Sequence, residues 1–147
     1  AARALVQIAF ANEETSAVLA KLKAIKTTAE SLRDLDGCTD RIKESSLQLL
    51  NNIASNCWTS HKAVIDSSVL GHVIVILRSI TIPEAVKRAA VNLVFSLTFT
   101  EDGRNALLDI DVVSSLVPII RANKTSVNSM CATLAVANLI GHRVRAQ

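Results

Sequence analysis

The sequence contains no tyrosine, and only 3% of its 147 residues are aromatic. Sheet sandwiches draw much of their core from aromatic and β-branched pairs, so this poverty argues against a β fold. Cysteines number three (Cys38, Cys57, Cys131), widely spaced and with no C-x-x-C pair. That argues against a disulfide framework and a zinc site, and points to a reducing compartment. Cys131, among apolar neighbours, reads as a small core residue. Four glycines are too few for a nucleotide cradle, and no Gly-x-Ser-x-Gly elbow or paired catalytic carboxylates occur. His61, His72 and His142 form no metal set: Cys57 and His61, four apart, supply only two of the four ligands a structural zinc needs. The longest apolar run, Val73 to Leu77, is five residues, against about 20 for a spanning helix. No enzyme activity, cofactor or metal is expected.

What the chain does have is aliphatic mass and repetition. Half of it is apolar, mean hydropathy is +0.35, and its formal charge of +3 is spread without a dense basic stripe. Ala1 to Ala9 returns in degenerate form at Ser46 to Ala54, Val91 to Thr98 and Ala132 to Ile140. The matching column of Gln7, Asn52, Ser96 and Asn138 steps by 45, 44 and 42 residues. Such a period means stacked supersecondary units, none of which buries its apolar face alone. The chain opens at Ala1 within a helical pattern, and reads as part of a longer array.

Each period divides into three helical segments. Short first helices are marked by Ala17, Ala63 and Ala106, and second helices begin near Ile25, Leu70 and Val113. Longer third helices run from about Thr39 to Ser55, Ile82 to Thr98 and Thr125 to Gly141. Thr39, Thr81 and Thr100 are candidate amino-terminal caps, and Gly141 a candidate end signal. Arg143 and Arg145 then complement the last helix's carboxyl end. Pro118 either starts its helix late or sits inside it.

Three helices per period, an apolar Ile/Leu-x-x-Leu-Val-x-Leu-Leu second helix and a third helix ending near Ala-x-x-Asn-Leu-Ala resemble armadillo repeats. The resemblance covers nearly the whole chain: a trailing third helix at 1–10, then repeats at 12–56, 57–99 and 100–142. It implies an all-α, right-handed α-solenoid. HEAT repeats use two helices per unit and fit less well, and tetratricopeptide and ankyrin periods are too short. The first repeat is the most degenerate, with Thr28, Ala29 and Ser31 at second-helix positions. Thr100 to Asp111 also has a local likeness to armadillo proteins of ciliary radial spokes.

By the resemblance, third helices line a concave groove that presents Arg3 and Gln7, then Glu44, Gln48 and Asn52. Arg88, Asn92 and Ser96 follow, then Leu134 and Asn138, with Met130 one turn before Leu134. An amide both donates and accepts, so Asn52 and Asn138 either clamp a partner's main chain or brace adjacent repeats. Importin-α-type receptors carry tryptophan one turn before that asparagine, where this chain has Arg3, Gln48, Asn92 and Leu134, so basic-cargo recognition is disfavoured. Trp58, after a third helix, reads as a packing plug at a repeat junction. Met130 and Leu134 are either a hydrophobic pocket in the groove or core. Ala4, Leu5 and Ile8 at one end, and Leu139 and Ile140 at the other, lack a neighbouring repeat.

The expected function is a non-catalytic protein–protein interaction scaffold in a larger, cytoskeletal or axonemal assembly. The alternatives are the substrate-recognition module of a ubiquitin ligase and a nucleic-acid-binding solenoid. Protein is the favoured partner class over nucleic acid, and the cytoplasm, with cilium or nucleus, the expected location.

Overall fold

The computed structural model describes residues 4, 6, 7, 13–21, 23–122 and 126–145. They form α1 (Glu13–Lys21), α2 (Ala24–Glu30), α3 (Asp40–Asn56), α4 (His61–Asp66), α5 (Val69–Arg78), α6 (Glu84–Leu97), α7 (Glu101–Asp109), α8 (Val112–Ala122) and α9 (Val127–Arg145). A 3-10 turn at Trp58–Ser60 leads into α4. Ala4, Val6 and Gln7 are also helical, and no strand occurs among the described residues.

The helices fall into three units of three, each closing on its longest member. Third helices stack side by side, α3 on α6 and α6 on α9, while α5 packs on α6 and α8 on α9. The core runs continuously through this stack. Leu47, Leu50 and Ile53 of α3, Leu93, Val94 and Leu97 of α6, and Ala132, Ala135 and Leu139 of α9 are all fully buried. The alanines let α9 approach its neighbours closely, and the β-branched and leucine side chains fill the gaps between layers.

Local signals placed most boundaries. Thr39 caps α3 by accepting from the Ile42 N–H, and Thr100 caps α7 by accepting from the Gly103 N–H. Thr81 does not cap α6: its hydroxyl pairs with Ser79, and the helix begins at Glu84 behind Pro83. α9 does not stop at Gly141 but continues to Arg145. No atom outside the helix backbone lies within 4 Å of a Cβ built on Gly141, so nothing there forces a turn. α8 begins at Val112, which puts Pro118 in its interior rather than in its first turn. The Ser114 carbonyl that loses its amide partner belongs to an exposed residue, so water can satisfy it. Of the two residues expected to lack a neighbour at that end, Leu139 lies in the core and Ile140 faces outward. Cys131 is half-buried, while Cys57 is the buried cysteine.

A feature with no signature in residue type recurs between first and second helices. Lys23, Ser68 and Asp111 all have left-handed backbone, with φ of 60°, 64° and 51°. Each turns the chain between a first and a second helix, through 81° where Val69–Arg78 follows Trp58–Asp66. Only glycine adopts this conformation without steric cost. Ser68→Gly is expected to raise stability by up to about 1 kcal/mol, as checked by urea unfolding.

Glycine is indispensable elsewhere. A Cβ on Gly103 would stand 2.0 Å from the Leu97 carbonyl oxygen, so α7 can start against the end of α6 only without a side chain. Gly103→Ala should destabilise the array by at least ~2 kcal/mol through overpacking. Gly71→Ala, where a Cβ meets nothing within 4 Å, should instead gain up to about 1 kcal/mol from helix propensity. Equal effects in the two variants would refute this packing assignment.

Candidate functional site

Third helices expose one stripe each, and helical geometry selects its members. Spacings of four, three and four residues keep side chains within a sector of roughly 60° at 100° per residue. On α3 the stripe is Glu44, Gln48, Asn51 and Ser55. On α6 it is Arg88, Asn92 and Phe95, continued by Phe99 just beyond the helix. On α9 it is Met130, Leu134, Ala137 and Gly141. Every one of these residues is partly or fully exposed.

The positions expected to follow at a further step of four are turned away. Asn52 and Ser96 are buried and Asn138 is half-buried. Two steps of four rotate the side chain by about 80°, whereas four plus three brings it back to the stripe. Asn52 donates from Nδ2 to the Val6 carbonyl at 3.1 Å, back towards the preceding unit. Ser96 donates to Asn51 Oδ1 at 2.8 Å. Asn138 donates to the Thr98 hydroxyl at 2.9 Å, and that hydroxyl donates to the Phe95 carbonyl. Asn128 adds a fourth link, to the Glu84 carboxylate. Of the two roles open to the asparagine column, these bonds perform the bracing one.

The remaining expected residues do sit on the open face. Gln7 is exposed, and Arg3 lies outside the described residues. Gln48 donates to Glu44 within α3 at 3.0 Å, so part of their capacity is used internally. Arg88 and Asn92 have no hydrogen bond or ion pair among the described residues. Met130 and Leu134 are 58% and 51% exposed, which makes them surface residues and not core.

Trp58 is not a plug. It is 62% exposed, its ring centroid 6.3 Å from that of Phe99, which in turn meets Phe95 edge-on at 5.1 Å. The junction behind it is filled instead by buried Cys57, Ser60 and His61. Sequence reading thus missed Asn51, Phe95, Phe99 and Trp58 as surface groups. Counting at 3.6 residues per turn rather than in fours would have found the first three.

The repeat junction itself is built twice from different residues. His61 is buried, with Nε2 2.9 Å from the Ala54 carbonyl and Nδ1 2.8 Å from the Thr100 hydroxyl. A carbonyl only accepts, so Nε2 carries the proton and Nδ1 accepts from Thr100. One unit later Arg104 donates from Nη1 to the Thr98 carbonyl at 2.9 Å. Both side chains cap the last carbonyls of a third helix from the next unit. The Gly103 to Leu107 part of the Thr100–Asp111 stretch has the same explanation: Gly103 permits close approach, Arg104 caps, and Leu107 is fully buried. Among the described residues no His, Cys, Asp or Glu group is arranged to hold a metal, and burial pushes the Cys38 thiol up, away from a reactive thiolate.

No protein-family model and no curated protein sequence matches this chain. Solved structures do. A designed armadillo repeat protein in complex with a (KR)4 peptide superposes with TM-score 0.82 at 21% identity, over 99% of this chain and 62% of that one. Computationally designed armadillo repeat proteins for modular peptide recognition give 0.83 at 20% identity, over 99% and 62%. The fold is that of an armadillo repeat array. An engineered protein adds a third likeness, TM-score 0.81 at 22% identity over 93% of this chain and 55% of that one. The chain therefore spans 55% to 62% of the length of these three neighbours. No single described helix is long and apolar enough to cross a membrane.

His61 ties stability of the array to pH. Burial lowers its pKa below the ordinary 6.5, partly opposed by the bond to Ala54. The native state thus holds the neutral ring, while the unfolded state takes up a proton near 6.5. Stability should be full above that pH and fall as the pH drops through the lowered value. His61→Gln should flatten this dependence between pH 7 and 5, measured by thermal melts; an unchanged slope would assign the effect elsewhere.

Proposed function

We propose that this chain is a binding scaffold whose open stripe across α3, α6 and α9 holds a segment of a partner protein. The observation that carries the reading is Asn92. It stands at the centre of the stripe, half-exposed on α6, with an amide that no described residue engages. Such a group can donate to and accept from a partner's main chain without reading its sequence. Asn51 supports it from α3: its Oδ1 accepts from Ser96, which fixes the amide, while no described residue accepts from its NH2 group.

The likeness to designed arrays that bind peptides is consistent with this role, but the partner's chemistry differs. Arg88 is unpaired on the stripe, and the one stripe carboxylate, Glu44, is already bonded to Gln48. A lysine- and arginine-rich segment would meet repulsion from Arg88 with Glu44 as the single acidic group of the stripe, so a neutral or acidic segment fits the α6 and α9 part better. Mixed charge on the third helices also disfavours nucleic acid.

Membership of a larger assembly belongs to the same proposal. Thr133 and Ile140 of α9 are exposed, whereas their equivalents in α6, Val91 and Thr98, are buried.

Selection of peptides against the array, followed by titration, tests the groove. Asn92→Ala should weaken the selected peptides about tenfold, the size of a lost pair of main-chain hydrogen bonds, with the melting temperature unchanged. Asn138→Ala should do the reverse, lowering stability by about 1 kcal/mol with binding largely retained. Peptides indifferent to Asn92→Ala would refute the groove assignment.

A further inference from the structure

The three third-helix stripes form a gradient. α3 offers only polar groups, α6 is polar at Arg88 and Asn92 and aromatic beyond, and α9 is apolar throughout. On α9 the series extends one turn further, as Val127, Met130, Leu134, Ala137 and Gly141. Val127 is 62% exposed, more than either Met130 or Leu134. Spacings of three and four alternate along it, the a and d pattern of a helix seam, over roughly 21 Å at 1.5 Å per residue.

A following unit of the array would not cover this seam. α6 already has neighbours on both sides, α3 and α9, yet its equivalents Ala85, Arg88, Asn92, Phe95 and Phe99 all remain partly or fully exposed. The face that a following unit covers is the separate one at Thr133 and Ile140. An extended chain crossing α9 would not cover it either, since a strand is only about 4.8 Å wide. A helix lying along α9 would. Large side chains at Met130 and Leu134 supply knobs, while Ala137 and Gly141 let a second backbone come close.

We infer that the α9 seam docks an amphipathic helix of a partner protein, aliphatic on the buried face and acidic on the flank that faces α6. The acid follows from Arg88. It occupies the row next to Met130, is exposed, and forms no ion pair among the described residues, the nearby Glu84 carboxylate being bonded to Asn128, so it complements a carboxylate on that flank. This deepens the groove proposal and rests on it: chain leading to the helix would run over the amides of α6 and α3.

Met130 is the single methionine of the sequence, so a 13C-methyl label reports on the seam with one resonance. The probe is a 21-residue helical peptide with leucine at a and d positions and glutamate on its flanks, beside a lysine-flanked isomer and a scrambled sequence. The glutamate-flanked helix is expected to shift the Met130 methyl and to bind most tightly of the three. Leu134→Glu, at an exposed position, should weaken it by about tenfold or more with helicity intact by circular dichroism. Arg88→Glu should invert the preference towards the lysine-flanked isomer. Absence of a Met130 shift, indifference to Leu134→Glu, or equal binding of the scrambled peptide would overturn the inference. So would a Met130 shift that grows with protein concentration alone and tracks a dimer in sedimentation, which would assign the seam to a second copy of the chain. Binding of selected extended peptides through Asn92, with no helix binding, would leave the groove proposal standing and remove the helix.

Discussion

Everything in this array depends on how a third helix ends. Its last carbonyls have no intrahelical partner, and a following unit must start directly over them. In one junction the ring of His61 donates to Ala54; in the next the guanidinium of Arg104 donates to Thr98. Each of these side chains belongs to the first helix of the new unit, so capping the old helix and orienting the new one are a single event. Where Ser60 reaches the Ile53 carbonyl with its hydroxyl, Gly103 leaves room for the Leu97 carbonyl. Chemically unlike residues meet the same demand.

Stacking buries one apolar face of each third helix, and that burial sets the rotation of the helix about its own axis. Rotation decides which polar residues point out. Asn51 and Asn52 are consecutive and chemically identical, yet one lies on the open stripe and the other braces the array through the Val6 carbonyl. The same division separates Phe95 from Ser96 and Ala137 from Asn138. Asn52 and Asn138 sit about 70° from the centre of the stripe, where a neighbouring unit brings an acceptor within reach.

The gradient from amide-lined to apolar stripe lies on the face that the stack leaves open. Buried positions are constrained to be small or aliphatic by the stack, and they vary little in character between units. Stripe positions carry no such constraint. Their change from Glu44, Gln48 and Asn51 to Met130, Leu134 and Ala137 is therefore not dictated by the stack.

Much was legible in the residues alone. Period, number of helices per unit and the aliphatic core follow from hydrophobic spacing, and the caps at Thr39 and Thr100 from side chains that compete with backbone for hydrogen bonds. Those are local or periodic properties, which a linear pattern can hold. The groove was legible only in part: Gln48, Arg88, Asn92, Met130 and Leu134 were placed on the open face, but Asn52, Ser96 and Asn138 were not separable from it by fours. The left-handed residues Lys23, Ser68 and Asp111 left no trace in composition, and Trp58 looked buried because indoles usually are. Only tertiary structure decided these points. Whether a polar side chain faces a partner or a neighbouring carbonyl depends on atoms some forty residues away, and no local pattern encodes that distance.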